Sequence, residues 1–276
     1  FYTFISTLFY TVQAGAENNI PVIILDRPNP ITGITADGPI RKEGLSSFVG
    51  IAPIPIMHGL TIGELAAMFN ESGMIGRNIK ANLTVVKMEN WQRDMYYDET
   101  GLIWTKPSPN IPDLETALVY PGMCLIEGTN VSEGRGTMAP FLSFGAPYIK
   151  SGELIAELKK LDIPGAEFEP VDYTPVEIKN MASQPKYENQ LVHGVKIRVT
   201  DRNKLEPVKL GVDILCAIQK LYPKEFKIEN GRFDRLSGDK TIRENIIAGR
   251  NAKDIIGSWQ KELDEFIKFR KQYLLY

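Results

Sequence analysis

E-N-N-I-P-V-I-I-L-D-R-P-N-P (residues 17–30) holds the run P-V-I-I-L, too short for a helix and apolar without alternation. Such a run reads as a strand buried on both faces of a parallel sheet. Before it, Phe1, Ile5, Leu8, Phe9 and Val12 recur at helical spacing and give way to Glu17-Asn18-Asn19. Helix, tight turn and buried strand make half of a βαβ unit, so the chain is read as α/β. Asp26, Arg27 and Asn29 then follow the strand's carboxyl end, the edge where ligands bind in open α/β sheets. The plainer alternative is an Asp–Arg pair pinning a proline-rich turn.

Working outward, Phe48–Met57 is a second strand-like stretch, broken by prolines and ending at His58-Gly59. Thr61 and Glu64 form the capping box T-I-G-E, which assigns Glu64 to local structure. His58 stands between strand end and helix start, where the helix N-terminus favours anions, and is a candidate binding residue. The pattern changes at Leu83-Thr84-Val85-Val86, a new strand, which places a domain boundary near residue 80. Residues 1–80 are then a partial parallel-sheet domain and 81–276 a mixed α+β domain.

The second part contains Trp91, Trp104 and the P-S-P-N element at 107–110, with Asn110 as a candidate binding residue. The tryptophans could stack on a ligand or fill the core. A helix is expected near 151–161, strands around 165–173 and 193–200, and helices over Pro207–Leu221, Lys240–Ala248 and Ala252–Leu275. In the last, Ile255, Ile256, Trp259, Leu263, Phe266 and Ile267 form a core-facing stripe.

The 276 residues are 43% hydrophobic and 24% charged, with a net charge of −2, as in an ordinary globular protein without a basic field for nucleic acid. Only His58 and His193 are present and the cysteines, Cys124 and Cys216, lie far apart, so no metal-site spacing exists and no cofactor is expected. Buried free thiols are the preferred reading of the cysteines, with a disulfide left open. No apolar run spans a membrane, and no signal peptide is recognised. The chain opens on Phe1-Tyr2-Thr3-Phe4-Ile5 without a capping lead-in and reads as a piece of a longer protein.

The richest chemistry sits in E-G-T-N-V-S-E-G-R-G-T (127–137), directly after the apolar run Ala117–Ile126. Gly128, Gly134 and Gly136 permit positive φ or close backbone approach. Glu127 and Glu133 are a carboxylate pair fit for acid/base work on a glycoside, with Asn130, Arg135 and Thr137 available to hold polar groups. Glu127 abuts Leu125-Ile126, so burial should keep it protonated as general acid, whereas Arg135 should keep Glu133 ionised. The competing reading is a tight turn with a solvated Glu133–Arg135 ion pair.

Several stretches resemble the NamZ-type exo-β-N-acetylmuramidases. They include L-D-R-P-N-P (25–30), D-G-P (37–39), P-I-P-I-M-H-G-L-T-I-G-E-L-A (53–66), K-P-S-P-N-I-P (106–112) and A-L-V-Y-P-G (117–122). The 127–137 loop, G-A-P-Y (145–148), the F-D-R-L-S-G turn (233–238) and R-K-Q-Y-L-L-Y (270–276) continue the series in order. The resemblance implies a Rossmann-like first domain, a smaller mixed second domain, and a cleft between them that releases N-acetylmuramic acid from non-reducing ends of peptidoglycan fragments. It implies an exported protein, periplasmic or extracellular. Arg135 is then expected to meet the lactyl carboxylate, and Asp26, Arg27, Asn29 and Asn110 to orient sugar hydroxyls and the acetamido group. Family members begin with a further βαβ region bearing an S-P-E-H-G-like motif, whose glutamate this chain does not contain. Two other readings stay open: a non-catalytic wall-binding module, and a nucleotide-dependent enzyme, although 20–80 contains no G-x-G-x-x-G turn.

Overall fold

The computed structural model describes residues 3–76, 78–161 and 163–276. The chain is α/β and divides into two compact units, one running to Ile103 and rejoined by Trp259–Tyr276, the other Trp104–Ser258.

In the first unit, helix α1 (Phe4–Asn18) buries Leu8, Phe9 and Val12 and stops at Asn19, whose left-handed backbone (φ 55°) lets its N–H cap Gly15. Phe1, expected on the same face, lies outside the described residues. Strand β1 (Val22–Leu25) follows as read, β2 (Asp37–Ile40) pairs antiparallel with β3 (Pro55–Met57), and helix α2 (Ile62–Glu71) comes next. The strand expected over Phe48–Met57 is thus confined to its last three residues: Pro53 has no N–H to give a ladder, and Pro55 is tolerated as the first residue of the strand. Thr61 and Glu64 close the capping box in both directions.

Two expectations are corrected here. Strand β4 (Leu83–Val86), taken to open the second domain, pairs in parallel register with β1, Val22 opposite Leu83 through Leu25 opposite Val86. The units therefore change at Ile103/Trp104 rather than near residue 80. Nor is β1 buried on both faces: Val22 is buried, but Ile23 and Leu25 are 64% and 70% exposed. The apolar run reported the strand, while burial depended on neighbours that periodicity cannot supply.

In the second unit, helix α3 (Leu114–Met123) runs into a 3-10 turn, Cys124–Gly128. Strand β5 (Ser143–Ala146), helix α4 (Ser151–Leu158), and strands β6 (Ala166–Tyr173) and β7 (Val192–Val199) follow, making a three-stranded antiparallel sheet with β7 central. Helix α5 (Pro207–Leu221) starts on a proline, which needs no N–H at that position, and crosses α3 where Gly122 meets Gly211. A side chain on either glycine would collide with the other helix's backbone.

Helices α6 (Asn230–Ser237), α7 (Lys240–Ile247) and α8 (Ala252–Gly257) complete this unit, so F-D-R-L-S-G is a helix end capped at Gly238 rather than a free turn. The helix expected over Ala252–Leu275 breaks at Ser258–Trp259. Its apolar stripe serves two cores: Ile255 belongs to the second unit, and the C-terminal helix Gln260–Arg270 carries Leu263 and Phe266 in the first. Continuous spacing had hidden the break after Gly257. Both cysteines are free, and burial pushes the Cys216 thiol up to about 12. No helix among the described residues is long and apolar enough to cross a membrane.

Candidate active site

The 127–137 loop is built into the second unit by backbone hydrogen bonds on both sides. Thr129 bridges Ile228, and Ser132 exchanges two hydrogen bonds with Gly145 of β5, at 2.7 and 3.0 Å. Gly134 and Gly136 take φ of 75° and 82°, and Gly128 lies against Phe233 of α6, where a Cβ would come 2.7 Å from Phe233 Cα. Each glycine therefore serves close packing within the protein.

Glu133 is 3% exposed. Its Oε2 lies 3.0 Å from Lys186 Nζ in a buried ion pair, and no other described group donates to that oxygen. The competing reading, a solvated pair with Arg135, does not hold: Glu133 is buried and its ion pair is with Lys186. Positions two apart around a left-handed Gly134 do not have to share a side. Lys186 Nζ donates to three carbonyl oxygens, Ile126 at 2.9 Å, Glu127 at 3.2 Å and Val131 at 2.9 Å. Burial holds this ammonium below its ordinary range, with Glu133 opposing the fall.

Glu127 behaves differently. Burial raises its carboxyl above the ordinary value of 4.5, the negative charge of Glu133 adds to that, and Arg135, Arg232 and Lys186 pull the other way. Arg232, on α6, reaches Glu127 Oε2 at 3.5 Å. Arg135 donates no hydrogen bond to any described residue, so its guanidinium is available to an anion. Burial also raises the Tyr173 phenol, whose hydroxyl lies 3.5 Å from the Ser132 carbonyl. One loop thus presents a carboxyl of raised proton affinity beside a buried one paired with an ammonium.

Other predicted residues of this unit are committed to structure. Asn130 Nδ2 donates to the Glu225 carbonyl at 2.9 Å, and its Oδ1 accepts from Tyr148 Oη and the Lys227 amide. Thr137 Oγ1 donates to the Gly134 carbonyl and accepts from the Ala139 amide, a local turn. Asn110 is buried and only half committed: its Nδ2 donates to the Met181 carbonyl at 2.7 Å, while its Oδ1 has no hydrogen-bond partner among the described residues.

The remaining candidates lie in the first unit. Asp26 is buried and saturated. Its Oδ1 accepts from the Gly63 amide at 2.7 Å and the Arg27 amide at 2.9 Å, and Oδ2 from Thr61 Oγ1 at 2.7 Å and Tyr276 Oη at 2.8 Å. Arg27 reaches Tyr97 Oη at 3.2 Å, and Asn29 bridges the Leu60 carbonyl and the Ile31 amide. His58 Nδ1 accepts from the Leu60 amide at 3.0 Å, so any ring proton at neutral pH sits on Nε2. Burial, with the charge of Arg270, holds this imidazole well below its ordinary range and therefore neutral. Trp91 is core, edge-on to Tyr276 at 5.0 Å, while Trp104 is half-buried.

Sequence reasoning missed Lys186 and Arg232. Lys186 arrives from the irregular stretch 174–191 between β6 and β7, where its partners are 55 to 60 residues away. The signal available was that stretch itself, since long connections without regular structure inside a compact unit are usually functional. Among the described residues no cluster of histidine, cysteine, aspartate or glutamate is placed to hold a metal.

The chain is 47% identical over its whole length to the peptidoglycan β-N-acetylmuramidase NamZ of Bacillus subtilis strain 168, and spans 64% of that relative's length. Two solved structures of DUF1343 family proteins from Bacteroides fragilis superpose on the whole chain. One has a TM-score of 0.90 at 34% identity and is covered over 71% of its length; the other has 0.82 at 32% and is covered over 72%. The family model for the N-terminal part of the exo-β-N-acetylmuramidase NamZ matches residues 1–115 and that for its C-terminal part 118–276. The chain belongs to the NamZ family.

Proposed function

We propose that the protein to which this chain belongs is a glycoside hydrolase that releases terminal N-acetylmuramic acid from non-reducing ends of peptidoglycan fragments. The observation that carries this reading is the unequal pair in the 127–137 loop, a raised Glu127 next to Glu133, which is ion-paired to Lys186. Glycoside hydrolysis needs that inequality. Protonated Glu127 gives its proton to the leaving sugar's oxygen as the bond from the anomeric carbon breaks. Ionised Glu133 then assists at that carbon, either by taking a proton from the attacking water or by bonding to it until water replaces it. Arg135, which donates no hydrogen bond to the described residues, is the group we assign to the lactyl carboxylate, as a charge-assisted contact. Since the substrate is a wall fragment, we place the protein on the outer side of the cytoplasmic membrane.

The test is incubation of the full-length protein with the disaccharide of N-acetylmuramic acid β-linked to N-acetylglucosamine. Free N-acetylmuramic acid is the expected product. Saturable binding without release would make the protein a wall-binding module, and neither binding nor release would remove this substrate class.

A further inference from the structure

The segment 174–191 connects two adjacent antiparallel strands, β6 and β7, which a short hairpin could have joined. Instead it makes an excursion with four non-glycine residues in the left-handed region: Asn180 (φ 62°), Gln184 (46°), Tyr187 (57°) and Asn189 (58°). Left-handed backbone at a residue such as tyrosine costs free energy and persists where surrounding contacts enforce it. Here the contacts face the 127–137 loop. Tyr187 Oη donates to the Asn130 carbonyl at 2.6 Å, and the preceding Lys186 reaches its three carbonyls and Glu133.

Three carbonyl acceptors and one carboxylate converge on one nitrogen, and no donor is directed at it. Only the ammonium form, with three protons and no lone pair, satisfies that arrangement. Three of the contacts are hydrogen bonds to the backbone at 126, 127 and 131, so the same group holds the main chain at Glu127 and two residues before Glu133. The remaining contact supplies the counter-charge for Glu133, which is otherwise without a donor on Oε2.

We propose that Lys186 is the positioning residue of the carboxylate pair: a single ammonium delivered by the 174–191 excursion anchors the loop backbone and neutralises Glu133, so that Glu133 serves as the base or nucleophile and Glu127 as the acid. This rests on the hydrolase reading above. The other charges near the pair do not take over its task. Arg232 lies 3.5 Å from Glu127, with a side chain 46% exposed and screened by solvent, and Arg135 donates to neither carboxylate. The Cys124 thiol and the Tyr173 phenol, which also face the pair, are both pushed up and stay neutral.

Lys186→Met and Lys186→Arg in the full-length protein test this. Two readouts apply: the pH profile of kcat/KM on the disaccharide, and a carbon-13 titration of the glutamate carboxyls, which needs no activity. Loss of a cation this close should move the acid limb and the lower carboxyl titration of Lys186→Met upward by about 1–3 pH units. Lys186→Arg should restore most of that. A folded Lys186→Met with a lower melting temperature but an unmoved acid limb and titration would make Lys186 a structural tether and overturn the proposal.

If Lys186→Met strands Glu133 and fails to fold, Glu133→Gln and Glu133→Gln/Lys186→Met decide, since neither leaves a buried carboxylate unpaired. Glu127 should titrate higher in the double variant than in Glu133→Gln, and equal titrations would overturn the proposal. If the wild type releases no muramic acid, the hydrolase reading fails, while the carboxyl titrations still report whether Lys186 governs the pair.

Discussion

Asp26 and Glu133 are both nearly inaccessible carboxylates, 7% and 3% exposed, and both stand near arginines in loops that the sequence marks as candidates. Their surroundings differ. Asp26 receives four hydrogen bonds, two from amides and two from hydroxyls, and so joins β1, the start of α2 and the C-terminal tyrosine. Glu133 has an ammonium at 3.0 Å, no other donor on Oε2, and Glu127 close enough that the charge of Glu133 raises the Glu127 carboxyl. A carboxylate whose lone pairs are filled by the protein is a fastener. One held by charge alone keeps lone pairs for a proton in transit. That contrast, rather than burial, is what sets the two carboxylates apart.

Glu133→Gln sharpens the contrast most. If Glu133 assists at the anomeric carbon as proposed, its removal should lower kcat on the disaccharide by about 10²–10⁴-fold. Because the charge of Glu133 contributes to the raised Glu127 carboxyl, the basic limb of the pH profile should also move down. A basic limb that stays in place would mean the two carboxyls do not interact.

Asp26→Ala should do the reverse. It strands the Gly63 and Arg27 amides and two hydroxyls, and should cost about 2–4 kcal/mol of stability, read as a lower denaturation midpoint. Turnover of the folded fraction should stay within about threefold of wild type. A folded Asp26→Ala with wild-type stability and greatly raised KM would turn Asp26 back into a substrate ligand.

A smaller effect concerns stability against pH. Glu127 has a folded-state carboxyl above its unfolded value of 4.5, so its contribution is fully present below that value and fades as pH rises through the folded one. Glu127→Gln removes the titration. Its melting temperature relative to wild type should therefore climb as pH is raised through the folded-state value of Glu127 and then level off. A constant difference at all pH would show that Glu127 is ordinary. The least effect is expected from Thr137→Ala, which loses only a local turn bond, about 0.5–1 kcal/mol, with KM unchanged.

What was legible in the sequence was local. The capping box at Thr61 and Glu64 is complete within four residues, and the proline at the start of Pro207–Leu221 marks that helix's first turn, so both stand as read. The carboxylate pair in the 127–137 loop could likewise be picked out from composition alone. Properties set by distant chain could not be. Leu83–Val86 looks like the opening of a new domain until β1 is seen beside it. Asp26 and Asn130 look free to bind until Tyr276 and Lys227 are found on them. Lys186 sits in a polar, aperiodic stretch, and only the folded chain brings its ammonium to Ile126 and Val131.

The central claim is that Glu127 is the proton donor, and the most direct measurement compares Glu127→Gln with wild type, in the full-length protein, on two substrates. One is the natural disaccharide; the other is an aryl muramide whose phenol leaves without protonation. A general acid contributes about 10²–10⁴-fold only where the leaving group needs its proton. The account predicts a loss of that size on the disaccharide and a rate close to wild type for cleavage of the aryl muramide. Equal losses on both substrates, or no loss on either, would contradict it.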